Sequence, residues 1–156
     1  MRRTLWIILF IVTSALTTSA QNIRLGERVP KLSVTGESAI ILETSSKPYL
    51  FLILTHSESE YCNRAIATLT PVLSGMAEHM EVLLLTNESS DEQEEIHRRI
   101  GLNYPIVFDV NNQTFKAIGV TYVPFGVIYE TKRRRALWIG SLHQLDEATL
   151  NEIITK

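Results

Sequence analysis

Hydrophobic and polar positions alternate in blocks along this chain, and each change of period marks an element. From Tyr49 to Thr55 the sequence is uncharged and mostly apolar. Such a run predicts a strand buried on both faces. A polar link through Glu58 follows. From about Ser59 to about His79 the period changes: Ile66, Leu69, Leu73 and Met76 recur every three or four residues, which predicts a helix. Pro71 falls inside it and is expected to kink it. Glu81 to Thr86 predicts a second buried strand. Between Asn87 and Gly101 acidic residues lead and His97-Arg98-Arg99 close, the order a helix dipole prefers. Ser90-Asp91-Glu92-Gln93 reads as its capping box and Gly101 as its stop.

The rest is shorter in wavelength. Tyr104 to Asp109 reads as a short strand or extended piece, Asn111-Asn112 as a turn, and Thr114 to Ile118 as a short helix ending at Gly119. Val120 to Tyr129 approaches a strand through Pro124. A proline cannot sit in a central ladder, so it belongs at the strand's mouth. Lys132-Arg133-Arg134-Arg135 reads as a solvated hairpin turn, Ala136 to Gly140 as the returning strand. Asp146 is placed to cap a closing helix with Leu145, Leu150, Ile153 and Ile154 inward. Upstream, Ile23 to Pro30 is an extended lead-in. Lys31 to Val34 and Ile40-Ile41-Leu42 predict two short strands separated by a turn at Gly36, and Ser45 to Pro48 a polar link. A β-α-β unit, an intervening helix, a hairpin and a terminal helix make an α/β domain with a mixed central sheet flanked by helices.

The N-terminus changes the picture. Met1-Arg2-Arg3 is positive, Leu5 to Val12 is apolar and continues weakly through Leu16, and Thr18-Ser19-Ala20 is small. This predicts a signal peptide over residues 1–20 and a domain over 21–156. The apolar stretch is short for a membrane span, with an uncleaved anchor as the alternative. The expected location is secreted or periplasmic, where disulfides persist. No cysteine follows the signal, which excludes a lipid-modified N-terminus of the bacterial lipoprotein type. Asn87-Glu88-Ser89 and Asn112-Gln113-Thr114 match the glycosylation pattern.

Composition narrows the chemistry. With 156 residues, 45% hydrophobic and 21% charged, the chain is an ordinary globular one. A net charge of -2 suggests neither nucleic acid nor an anionic membrane as partner. One cysteine excludes an internal disulfide and a cysteine-rich zinc site. His79, His97 and His143 are scattered and show no metal-ligand spacing, and no glycine-rich phosphate loop or Ser-His-Asp arrangement appears. No metal or cofactor is expected.

The single cysteine, Cys62, falls in the first turn of the long helix. With Ser59 as N-cap it is the third helical position, where free backbone N–H groups and the dipole favour an anion such as a thiolate. Glu58 and Glu60 oppose that effect. His56 is read either as a thiolate partner or as a polar strand end. On these residues alone Cys62 is either a solvent-reachable reactive thiol or a small buried apolar residue.

Three stretches then carry a resemblance. Arg24-Leu25-Gly26-Glu27-Arg28-Val29-Pro30-Lys31-Leu32, Ile100-Gly101-Leu102-Asn103-Tyr104-Pro105-Ile106-Val107-Phe108-Asp109 and Ile118-Gly119-Val120-Thr121-Tyr122-Val123-Pro124 resemble motifs of the thioredoxin-like superfamily, in its TlpA/AhpC-TSA (redoxin) branch. The likeness runs from about Arg24 to Thr155. It implies a thioredoxin-like fold with a short N-terminal strand extension and a cis-proline at Pro124 beside the active site. Members hold a CxxC motif where this chain has Ser59-Glu60-Tyr61-Cys62, so Ser59 and Cys62 stand at the two cysteine positions and Tyr61, Val123 and Pro124 at the substrate edge.

One thiol cannot complete a dithiol cycle, because one sulfur attacks and a second resolves. Three readings follow. One is a monothiol redox protein in which Cys62, with Ser59 as hydrogen-bonding partner, forms mixed disulfides with an exported protein or small thiol, resolved by an external thiol. The second is a non-catalytic binding module holding an extended chain near Pro124. The third is a one-cysteine peroxidase. It fits Ser59-x-x-Cys62, but Thr55 stands where peroxidases carry proline, and Arg64 is the only basic residue close by in sequence.

Overall fold

The structure, a computed structural model, describes residues 22–155. The expected signal peptide therefore lies outside the described residues. Among those residues, six strands form one mixed sheet in the order β1-β4-β3-β2-β5-β6, with five α-helices around it. The strands are β1 (Val34–Thr35), β2 (Tyr49–Leu54), β3 (Met80–Thr86), β4 (Ile106–Asp109), β5 (Phe125–Glu130) and β6 (Ala136–Ser141). The helices are α1 (Ile41–Thr44), α2 (Glu60–Gly75), α3 (Gln93–Ile100), α4 (Gln113–Ile118) and α5 (Glu147–Ile154). Strands β2, β3 and β4 are parallel, while β1, β5 and β6 run against their neighbours. No helix among the described residues is long and apolar enough to cross a membrane.

The uncharged run places β2 at the centre, and Leu50 through Leu54 are fully buried. Its side chains divide between two cores. Phe51 and Ile53 face α2, α3 and α5, with Ile66, Leu69, Ile96 and Leu150. Leu50, Leu52 and Leu54 face the lead-in and α4, with Ile23, Val29, Phe115 and Ile118. Each fully buried leucine, isoleucine or phenylalanine contributes roughly 1.5–3 kcal/mol of transfer free energy.

Boundary signals act as expected in several places. Asp146 caps α5 by accepting from the Thr149 amide at 2.8 Å. Gly101 and Gly119 end α3 and α4 in the left-handed region that glycine adopts freely. Asn111 and Asn112 both have positive φ in the turn before α4. Buried Asp109 holds that turn, its two carboxylate oxygens accepting from the Thr114 and Phe115 amides at 2.8 and 2.9 Å. The basic run closes the β5–β6 hairpin, with Arg135 paired to Glu130. Helix α2 runs through Pro71 as one element.

Three sequence expectations are corrected. Ile40-Ile41-Leu42 is helical rather than a strand: residues Glu37–Ile40 form a 3-10 turn that passes into α1, and Thr44 donates its hydroxyl to the Ile40 carbonyl. Periodicity cannot tell a short apolar run in a helix from one in a strand. The strand expected over Lys31 to Val34 is confined to β1, two residues paired to Asp109 and Phe108. Ser89 rather than Ser90 caps the turn into α3, accepting from the Asp91 amide, because a 3-10 turn over Ser90–Glu92 precedes the α-helix.

Gly126 in β5 is a packing requirement. A Cβ there would lie 2.7 Å from the Phe51 ring, 2.9 Å from Trp138 and 3.1 Å from Leu142.

Candidate functional site

Antiparallel pairing of Leu54 with Phe125 brings the residues after β2 and those before β5 to the same end of the sheet. The start of α2 and the Val123–Pro124 turn therefore meet at the carboxyl end of β2. Open α/β sheets commonly bind ligands at such an end.

At the helix start, the Ser59 hydroxyl oxygen accepts from the Cys62 amide at 3.2 Å, and the Ser59 carbonyl accepts from Asn63 at 3.0 Å. Ser59 is thus the N-cap that the sequence predicts. Its oxygen engages the Cys62 backbone. Cys62 itself is fully buried, at 0% exposure. Of the two readings open at this position, the structure has the buried thiol and not the solvent-reachable one. The physical reason is periodicity: Cys62, Ala65, Ile66, Leu69 and Leu73 lie on one stripe of α2, and all are buried. Tyr61, one residue earlier, projects outward and is 60% exposed.

Tyr61 is held by a residue that sequence reasoning passed over. Its ring stacks on the His143 imidazole with centroids 4.3 Å apart. The adjacent Leu142 amide donates to the Pro124 carbonyl at 3.4 Å. The turn Leu142–Gln144 therefore ties Tyr61 to the Val123–Pro124 turn. Pro124 is buried and follows a cis peptide bond, and Val123 is half-buried. Among the described residues no hydrogen bond engages the Val123 N–H or carbonyl. Ser59, Tyr61, Val123 and Pro124 are thus gathered at one edge, with Cys62 enclosed beneath the first turn of α2.

Beside this edge lies a polar cluster centred on Glu88, which follows β3. Its side chain is 8% exposed. The carboxylate accepts from the Ser57 amide at 2.8 Å, the Ser57 hydroxyl at 2.5 Å and the Thr86 hydroxyl at 2.6 Å. Burial pushes its pKa up. The bonds from Ser57 and Thr86, with the nearby His56, outweigh burial and hold it below the ordinary carboxylate value. Arg99, from the end of α3, reaches Glu88 at 3.9 Å and Glu95 at 3.1 Å. Asn63 donates to the Ser57 carbonyl at 2.8 Å. This cluster fastens the link between β2 and α2. Arg64, the one nearby base in sequence, is exposed and pairs with Glu60. No group of three or more histidine, cysteine or acidic side chains among the described residues could hold a metal ion.

Comparison with known proteins places the architecture. No protein-family model matches the sequence, and no curated protein matches it. Solved structures do match. A Chlorobium tepidum protein assigned as the thiol:disulfide interchange protein DsbE superposes with a TM-score of 0.69 at 14% identity, over 85% of this chain and 96% of its own. The thioredoxin domain of a thiol-disulfide oxidoreductase from Bacteroides vulgatus gives a TM-score of 0.68 at 6% identity, over 85% and 99%. A thioredoxin-like protein from Bacteroides caccae gives 0.65 at 14% identity, over 86% of this chain and 50% of its own. The mixed sheet and its helices therefore have the thioredoxin-like fold that the resemblance in the sequence implies. At such identities the likeness is one of fold.

Proposed function

We propose that this protein is a thioredoxin-fold binding module that holds an extended segment of another exported protein, and that it does not turn over disulfides. The observation that supports this reading is the complete burial of Cys62, while Ser59, a residue without sulfur, takes the outer position of the motif. A thiol must meet its disulfide in line and in the open to exchange with it. What remains open to a partner is the exposed Tyr61 ring and the unpaired backbone of Val123. A free N–H and carbonyl suit main-chain pairing with an extended peptide, and an aromatic ring supplies contact area at little entropic cost. The apolar N-terminal segment supports a partner met outside the cytoplasm, secreted or periplasmic.

A monothiol redox role is the second reading. Cys62 lies within one turn of the helix start, so fraying of Glu60 to Cys62 would uncover its sulfur. A thiol-disulfide oxidoreductase among the solved neighbours supports it. An external thiol would then be needed to resolve each mixed disulfide. The peroxidase reading loses support, since Arg64 points to solvent and Arg99 is engaged by carboxylates.

Alkylation of Cys62 by iodoacetamide, with Cys62→Ser as blank, separates the two. Labelling only at the rate of global unfolding is the expected result for the binding module. Rapid labelling of the folded protein would overturn that reading in favour of monothiol chemistry, and trapping of mixed disulfides would follow. A Val123→Pro variant, which removes the N–H donor, is expected to lose peptide binding while remaining folded.

A further inference from the structure

A separate cleft of about 300 Å³ opens on the β2–β3 side of the Val123–Pro124 turn, between the ends of those strands and α4. Its size is at the lower end for small-molecule sites. Val123 borders it, but Ser59, Tyr61, Cys62 and His143 do not.

Thr55 lines the cleft, is 1% exposed, and has a hydroxyl with no hydrogen-bond partner among the described residues. Buried hydroxyls are nearly always bonded, so an unpartnered one in the wall of a cleft points to a missing acceptor or donor. The other residues with polar side chains on the wall are His56, Asn87, Asn112, Lys116, Thr121 and Tyr122. No carboxylate lines it. Lys116 is the one lysine, arginine or carboxylate residue in the lining, and the Glu88 carboxylate, outside the lining, stands 3.8 Å from Nδ1 of His56, so the lining itself favours a negative group. Phe115 and Tyr122 provide flat apolar surface, and Tyr122 is fixed edge-on against Phe125 at 5.5 Å.

The backbone that carries Lys116 is held in place. Asp109 pins the first amides of α4, and Asn22 donates to the Lys116 carbonyl at 2.9 Å.

We propose that this cleft binds a small organic anion, a carboxylate or phosphate ester carried on a flat apolar body. Its anionic group lies between Lys116, the carboxamides of Asn87 and Asn112 and the Thr55 hydroxyl, and its body lies against Phe115 and Tyr122. This site shares Val123 with the peptide edge but none of the groups proposed to hold the anion, so either can fail without the other.

The test is a titration of the isotope-labelled full chain, followed by amide NMR shifts, with phenyl phosphate, benzoate and the neutral benzyl alcohol. Saturable shifts at Thr55, Asn87 and Tyr122 with at least one anion are expected. A preference for phenyl phosphate or for benzoate assigns the anionic group. Lys116→Gln, an exposed change that leaves the core intact, is expected to weaken that anion about tenfold. Thr55→Val is expected to weaken it as well. Absence of saturation with both anions, equal affinity for benzyl alcohol, or unchanged affinity in Lys116→Gln would overturn the proposal.

Discussion

Thr55 and Ser57 stand two residues apart after the same strand, and their hydroxyls have opposite fates. Ser57 donates to Glu88 at 2.5 Å within a cluster that also includes Thr86, Asn63 and Arg99. Thr55 is equally buried, and its hydroxyl bonds to nothing among the described residues. On one side of the sheet end both hydroxyls, of Ser57 and Thr86, are bonded to one carboxylate; on the other the Thr55 hydroxyl is left without a partner among the described residues. The difference teaches where to look for ligands. A satisfied network fixes the chain, whereas an unsatisfied one stores interaction for something that arrives later.

The comparison is broken most forcefully from the saturated side. Glu88→Ala leaves the Ser57 amide and hydroxyl and the Thr86 hydroxyl without their acceptor. A loss of about 2–4 kcal/mol in urea unfolding is expected. A smaller effect follows from pH. The folded Glu88 pKa lies below its ordinary value, so its contribution is complete above that value and is lost as pH falls through the folded one. Melting temperature should therefore drop on acidification below the ordinary carboxylate range, and Glu88→Gln should flatten that part of the profile.

On the open side the sign reverses. Thr55→Val replaces an unbonded hydroxyl by a methyl of similar shape, so the ligand-free protein should be unchanged or more stable by up to about 1 kcal/mol. A measured loss above that range would show that Thr55 is already satisfied and would erase the contrast. Tyr61→Ala is expected to do least to stability, within about 0.5 kcal/mol, because the ring is mostly exposed. Its effect should appear in binding of an extended peptide, read by the same amide shifts.

Much of the fold was legible because local and global signals agree. The uncharged run at Tyr49 to Thr55 became the central strand, Ser59 and Asp146 became caps, and Gly101 and Gly119 became stops. Ile40 to Leu42 misled because a short apolar run suits either period, and Ile40 ends up 57% exposed at the domain's rim. The burial of Cys62 was written in the stripe it shares with Ile66 and Leu69, a signal that its place in the first turn obscured. Glu88, Arg99 and His143 carried no such signal. Arg99 lies 42 residues from the Ser57 hydroxyl it approaches, and only the folded chain brings His143 onto Tyr61.

Gly126 has a consequence for the peptide edge. The space that a side chain there would need is already filled by Phe51, Trp138 and Leu142, and it is Leu142 whose amide holds the Pro124 carbonyl. The bare α-carbon therefore works as a spacer of minimum thickness. It sets how deeply Leu142 seats, and through it the height at which Pro124 and the Tyr61–His143 pair ride above the sheet. A residue with no side chain of its own, inside the core, thus calibrates the shape of a surface it never touches.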